Sequence, residues 1–284
     1  MDNSTINYPG QHDFVVVASD GVRFNLSRTV LAITSGFFAD MFTVGGASSS
    51  TQSPSKETVI AAENHVVLDS LFAISYSHPK KPKPNIVTFA QIAELIQVAE
   101  KYRMHQALDY LSSQLMTSRV QGTTVVQPFT VTHPLPTLSL SLTQGLSLPA
   151  RLALREVINA AKSVWDTTSG DAELGSFMLD FRMLKKIHGM RNSRLNTYRS
   201  FIDRLLDCKC SASCAACHPF WKVDLLKSLE EGPNSAAFSA AFYKGWTCGY
   251  CDKCRQFNLH STRTSVERFV AERAAEECTL PELR

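Results

Sequence analysis

The chain has 284 residues, room for two domains at roughly 150 residues each. Hydrophobic residues make up 44% and charged ones 19%, so a packed core is expected and disorder of the whole chain is excluded. The net charge of +3 is too small to argue by itself for a nucleic-acid or anionic-membrane partner. No apolar run approaches the roughly 20 residues needed to span a bilayer, and the opening MDNSTINYPGQHDF lacks the basic and apolar regions of a secretory signal. An intracellular protein of cytoplasm or nucleus, with no membrane partner, is the expectation.

The twelve residues before Asp13 are mostly polar, and the first domain is taken to begin at 13. DFVVVAS (13–19) is short and β-branched, and Asp20-Gly21 separates it from VRFNL. An Asp-Gly step between two strand-like runs predicts a hairpin, because both turn residues tolerate positive φ. Ser27 is then placed to cap a helix carrying Val30, Leu31, Ile33 and Thr34. A second short helix, Phe37 to Phe42, follows Ser35-Gly36. The Gly- and Ser-rich stretch 44–57 reads as a surface loop. TVIAA (58–62) reads as a third strand, and 64–77 as a buried helix with Val67, Leu71 and Ile74 inward.

The prolines of HPKKPKPN (78–85) stop both helix and ladder. Thr88-Phe89-Ala90-Gln91 is a capping box. The helix it opens carries Phe89, Ile92, Leu95, Ile96, Ala99 and Tyr102 on one face. A further short helix has the stripe Leu108, Leu111 and Leu115. One hairpin followed by helix after helix indicates an α+β fold, not a parallel sheet.

Enzymatic signatures are absent: no GxSxG elbow, no GxxxxGK[ST] loop, no GxGxxG turn and no HExxH helix. The string Ser53-Pro54-Ser55-Lys56 sits in a Ser/Pro stretch that offers no desolvated lysine for a Ser–Lys pair. The sequons at Asn3 and Asn25 are read as chance.

In their order and spacing, residues 13–116 resemble a BTB/POZ domain, particularly the divergent fungal type with a helical and Cys-rich C-terminal region. The resemblance rests on DFVVVASDGVRFNL, SRTVLAITSGFFADMF, ENHVVLDSLFAISYSHPKK and TFAQIAELIQVAEKYRMHQALDYLSSQLM. It implies a small sheet with a hairpin surrounded by short helices, and protein partners that include a second copy of the chain. Self-association is expected at the helix pair 28–42 and the neighbouring hairpin. Some members of the family recruit a cullin scaffold through an apolar-x-Glu motif, where this chain has KKPKPNIVTF. A histidine common after the hairpin phenylalanine is replaced by Asn25-Leu26-Ser27.

Beyond a linker at 117–134, residues 135–207 form a helical region. Leu138, Leu140 and Leu142 alternate as in a strand, whereas the resemblance implies helix, and helix is adopted. Ser147 to Trp165 has Pro149 in its first turn and apolar residues at Ala150, Ala153, Leu154, Val157, Ile158, Ala161 and Val164. FRMLKKIHGMRNSRLNTYRSFIDRLL (181–206) is a basic helix or a helix pair broken at Gly189. Its seven Lys/Arg against Asp203 form either a phosphate- or acid-binding face or, the preferred reading, a solvated face opposite Leu184, Ile187, Leu195, Tyr198, Ile202 and Leu205.

All eight cysteines lie at or after Cys208, which defines a Cys-rich helical module at 208–284. CKCSASCAACHPFW and CGYCDKCRQFNLH bring CxxC pairs about 30 residues apart, a pattern that can supply four thiolates to one structural zinc ion. Cys214 and Cys217 are the natural first pair. The second is Cys248/Cys251 or Cys251/Cys254. Disulfides and packed free thiols remain rival readings, and redox catalysis a weaker one, since no βαβ unit accompanies the CxxC. FWKVDLLKSL is amphipathic and able to close over the cluster; Arg263 to Cys278 is a final helix. The isolated histidines, His12, His65, His78, His105, His133 and His188, are read as surface or hydrogen-bonded residues.

The expected function is that of a non-enzymatic interaction or scaffold protein. A substrate adaptor of a cullin-type ubiquitin ligase is the alternative, and a zinc-containing nucleic-acid-binding regulator the weakest.

Overall fold

Four short strands near the start of the chain form a mixed sheet: β1 (Thr5–Asn7), β2 (Phe14–Val17), β3 (Arg23–Leu26) and β4 (Glu57–Ile60), in the order β1-β3-β2-β4. The computed structural model describes residues 4–45, 57–76, 84–121, 123–159, 181–206, 218–231, 233–247 and 259–278. The chain divides into two units, Met1–Phe129 with Thr143–Leu146, and Thr130–Leu142 with Ser147–Arg284.

In the first unit the Asp-Gly turn closes the expected antiparallel pair, with Gly21 at φ 85°. Register places Phe14 opposite Leu26 and Val16 opposite Phe24, so these four share one face of the sheet. Helices cover that face: α1 (Arg28–Thr34), α2 (Gly36–Gly45) and α3 (His65–Tyr76). Phe42 and Phe38 of α2 meet Phe14 at 4.9 and 6.0 Å, and Phe72 of α3 meets Phe24 at 5.3 Å, all edge-on. β4 pairs parallel with β2, realising the third strand.

Two local expectations are corrected. The sheet reaches back before Asp13, the start expected for the first domain: β1 pairs parallel with β3, and Tyr8 beyond it is buried. Tyr8 sits among Phe24, Phe72 and Tyr76, and its hydroxyl meets the Asp69 carboxylate at 2.7 Å. Ser27 does precede α1, but its side chain makes no cap hydrogen bond. It is buried beneath Gly10, and its N–H donates to the Tyr76 hydroxyl at 2.8 Å. The Arg28 N–H is satisfied by the Asp13 carboxylate instead, also at 2.8 Å.

The capping box forms as expected: Gln91 N–H donates to Thr88 Oγ1, and Gln91 Oε1 accepts from Thr88 N–H. It opens α4 (Phe89–Lys101), whose Phe89, Ile92, Leu95, Ile96 and Ala99 are all buried. α5 (His105–Met116) buries Leu108, Leu111 and Leu115. The segment 117–134, expected to be a linker, carries a second antiparallel pair, β5 (Arg119–Gln121) with β6 (Thr124–Val126), and the one-turn α6 (Phe129–Thr132). The Arg119 guanidinium lies 3.5 Å from the Phe129 ring centroid and donates to the carbonyls of Ile86 and Val87.

The second unit is helical: α7 (Pro134–Thr143), α8 (Ser147–Asn159), α9 (Phe181–Leu206), α10 (His218–Glu231), α11 (Ser235–Thr247) and α12 (Leu259–Cys278). Leu138 and Leu140, in strand-like alternation, are helical and buried, and so are the alternating Ser139 and Ser141. The 26-residue α9 runs through Gly189 without a break, so the helix-pair alternative does not hold. At 1.5 Å per residue it spans about 39 Å, long enough to serve two cores. Its Ile187 joins Leu138, Ala153, Leu154 and Val157. Its Tyr198 and Ile202 join Leu225, Leu229, Phe238, Phe242, Val266 and Phe269.

Candidate interaction surface

Three exposed apolar side chains of the first unit lie on the helix pair that the sequence singled out. Ile33 near the end of α1 is 74% exposed, Val44 on α2 is 77% exposed and Phe37 is 38% exposed. Phe37 and Val44 are seven residues apart, two helical turns, and therefore lie on one face of α2. Ile60 on β4 and Val66 on α3 are further exposed apolar positions of this unit. The buried side of α2, Phe38 and Phe42, is fixed in the aromatic core, which commits the opposite side to solvent.

The corner between α1 and α2 is bonded to the corner between α4 and α5. Ser35 Oγ donates to the Tyr102 carbonyl at 2.6 Å, and Gly36 N–H donates to the Arg103 carbonyl at 3.1 Å. Arg103 returns a bond from its guanidinium to the Gly36 carbonyl at 3.0 Å and pairs with the Asp40 carboxylate. Arg103 sits at φ 50°, a left-handed conformation unusual for a residue with a Cβ, held by these bonds on both sides. A Cβ on Gly36 would stand 3.4 Å from the Arg103 Cβ, an ordinary van der Waals contact, so it is the hydrogen bonds that hold the two corners together.

Polar anchors surround this frame. Glu63, next to β4, accepts from Lys101 Nζ and from the Tyr102 hydroxyl, each at 2.5 Å. Burial opposes ionisation of Glu63, but the two donors outweigh it and hold the carboxyl below its usual range. The same contact, after burial, pushes the Tyr102 hydroxyl well above the ordinary tyrosine range. At the hairpin tip, Asp20 accepts from the His65 backbone at 3.2 Å and lies 2.5 Å from His65 Nδ1. That bond from His65 lowers the Asp20 carboxyl.

The residues expected to ligate zinc, Cys214, Cys217, Cys248, Cys251 and Cys254, lie outside the described residues, as do Ser53 and Lys56. Among the described residues no three His, Cys, Asp or Glu side chains gather as a metal site. His12 lies 2.6 Å from the Tyr8 carbonyl and His133 lies 2.8 Å from Thr132 Oγ1, matching the hydrogen-bonded reading of these histidines. Among the described residues no helix is long and apolar enough to cross a membrane.

The basic helix is not one uniform solvated stripe. Arg191 is buried, which lowers its pKa, and its guanidinium donates to the Glu230 carbonyl at 2.6 Å. Arg199 pairs with the Glu230 carboxylate at 2.8 Å, and Arg194 bonds Asn159. Three of the seven cations thus fasten α9 to its own unit. On the other side Ile187, Tyr198 and Ile202 are buried as expected. Sequence pattern missed Arg191, because nothing in its neighbours distinguishes it from Lys185 or Lys186.

Comparison with known proteins adds one result. Residues 6–119, under half of the chain, match the family model for the BTB/POZ domain. The match starts at β1 and stops on the first residue of β5. No curated protein matches the chain.

Proposed function

We propose that this BTB/POZ domain-containing protein is a non-enzymatic scaffold that self-associates and docks protein partners through the α1–α2 face. The BTB/POZ domain is a protein–protein interaction module, so the match supplies the class of function. The observation that carries the more specific reading is the exposure of Ile33, Phe37 and Val44 on helices whose other side is locked into the core. Apolar side chains fixed on a rigid element act as anchors, because desolvating them contributes free energy without much ordering cost.

Light scattering on the purified chain at increasing concentration tests this reading. A mass above that of one chain at high micromolar concentration is expected. The double variant Ile33→Asp/Val44→Asp is expected to return it to one chain while its circular dichroism stays unchanged. A single-chain mass for the unmodified protein at every concentration would overturn self-association.

A further inference from the structure

The hairpin that follows α5 presents an open strand edge. β5 and β6 form a sheet of two strands, with Gln121 opposite Thr124, Val120 opposite Val125 and Arg119 opposite Val126. Two residues separate Gln121 from Thr124 in the chain, and a turn of that length closes on a hydrogen-bonded pair. Bonded and non-bonded pairs alternate along an antiparallel ladder. Gln121 with Thr124 and Arg119 with Val126 therefore bond across the hairpin, and the N–H and C=O of Val125 point away from β5. Among the described residues no strand lies on the other side of β6. The Val125 side chain is 62% exposed, and Thr123, Thr124 and Gln127 around it are exposed.

Sheet edges are ordinarily guarded by charge, by proline, by a covering element or by shortness. β6 is Thr124-Val125-Val126 and has only its three-residue length for protection. From Thr117 to Gln127 there is no acid and no lysine. The one cation, Arg119, is engaged with the Phe129 ring and the carbonyls of Ile86 and Val87. This neutrality selects the occupant. A second copy of β6, antiparallel about a two-fold axis, sets Val125 against the partner's Val125, and the two exchange a pair of N–H···O=C bonds. No like charges meet across that axis, the repulsion that disfavours a charged strand pairing with itself. The edge is also well away from the α1–α2 face. The α1–α2 corner is bonded to Tyr102 and Arg103 just past the end of α4, and Arg119 to Ile86 and Val87 just before its start. The 13 residues of α4 put about 20 Å between those two points.

We propose that β6 is a second self-association surface, at which dimers formed through α1–α2 join edge to edge, in the strand order β5-β6-β6-β5, into assemblies larger than two chains. The inference rests on the self-association proposed above, because three residues and one exchanged pair of bonds make too small a contact to hold two free chains. A stable interface buries about 1,200–2,000 Å². Dimers present two edges each, so every contact along an assembly is reinforced by its neighbours.

Light scattering and amide hydrogen exchange on the full chain, both followed against concentration, test this. At high micromolar concentration the mass is expected to pass that of two chains, and the amides of 123–127 to exchange several-fold more slowly than at low micromolar. Val125→Lys sets like charges against each other across the axis, and Val125→Pro removes an N–H that β5 does not use. Each is expected to hold the mass at two chains, with circular dichroism unchanged. Ile33→Asp/Val44→Asp is expected to give single chains whose 123–127 amides exchange fast at every concentration. Should the Val125 variants fail to fold, exchange in the unmodified chain decides. A mass that stops at two chains in the unmodified protein, or exchange at 123–127 that ignores concentration, overturns the edge contact and leaves the α1–α2 face standing. Assembly beyond two chains in both Val125 variants overturns it too. Assembly lost in the Val125 variants but kept in Ile33→Asp/Val44→Asp would overturn the α1–α2 reading and, with it, the joining of dimers.

Discussion

The hydroxyl of Tyr102 donates to the carboxylate of Glu63 at 2.5 Å, joining the C-terminal corner of α4 to the connection between β4 and α3. Lys101 donates to the other oxygen of the same carboxylate. Glu63 is ionised in both folded and unfolded chains at neutral pH, and its folded pKa is the lower one. Its contribution is therefore present above the unfolded value and disappears as pH falls through the folded one. Glu63→Gln is expected to cost about 1.5–3 kcal/mol at pH 7, the range for hydrogen bonds to a charged group. Urea unfolding from pH 7 down to pH 2 should show the two proteins converging in stability at the acid end.

Alkali is expected to act through the tyrosines. Burial, then the bond to Asp69, raises Tyr8 far above its ordinary value; burial raises Tyr76 to about 12, and burial with Glu63 raises Tyr102. Unfolded tyrosines ionise near pH 10, so stability is complete below that pH and is lost as pH climbs from there towards the folded values. Absorbance at the tyrosinate band should rise together with loss of helical circular dichroism, not before it. Tyr8→Phe is expected to flatten that alkaline decline.

Arg119 joins three parts of the first unit: its own strand, the carbonyls of Ile86 and Val87, and the Phe129 ring. Arg119→Ala removes the two hydrogen bonds that Nη1 donates and a cation–π contact, with an expected loss of about 1–3 kcal/mol. Arg119→Lys keeps the charge but not the planar fork and should recover only part of it. Thermal unfolding followed by circular dichroism compares the three proteins.

In the second unit, Phe238 is fully buried and meets Tyr198, Phe242 and Phe269 at 5.3, 6.1 and 5.6 Å. Phe238→Ala is expected to cost about 3–5 kcal/mol through lost burial and the cavity left behind. Phe238→Leu, which keeps most of the volume, should cost distinctly less. Guanidinium unfolding measured by far-ultraviolet circular dichroism separates them.

The parts of the fold written in local sequence were the ones legible beforehand. Asp20-Gly21 specifies a hairpin by its own backbone freedom, and Thr88 with Gln91 closes a capping box within four residues. What could not be read depends on distant partners. β1 is three residues long and is a strand because β3 offers it a free edge. Ser27 yields its capping role to Asp13, which only the sheet brings near. Gly189 costs a helix about 1 kcal/mol, yet α9 continues, since buried Ile187 and the Arg191–Glu230 bond fix both sides of it. Leu138 and Leu140 alternate with Ser139 and Ser141, but that helix is buried all round, so periodicity no longer marks an inward face. Ile33 was legible only as a member of an apolar helix, and Val44 belongs to the stretch 44–57 that reads as a loop although α2 runs on to Gly45; which side of the pair faced outward had to come from the packing of Phe38 and Phe42.

The corner shared by Ser35-Gly36 and Tyr102-Arg103 couples two regions 67 residues apart in the chain. A ligand that pulls on Phe37 strains the backbone at Arg103 as well, so mutations in the α4–α5 elbow can weaken docking without touching the docked molecule. Conversely, occupancy of the α2 surface should slow hydrogen exchange at the amides of Gly36 and Phe37, whose acceptors are the carbonyls of Arg103 and Tyr102.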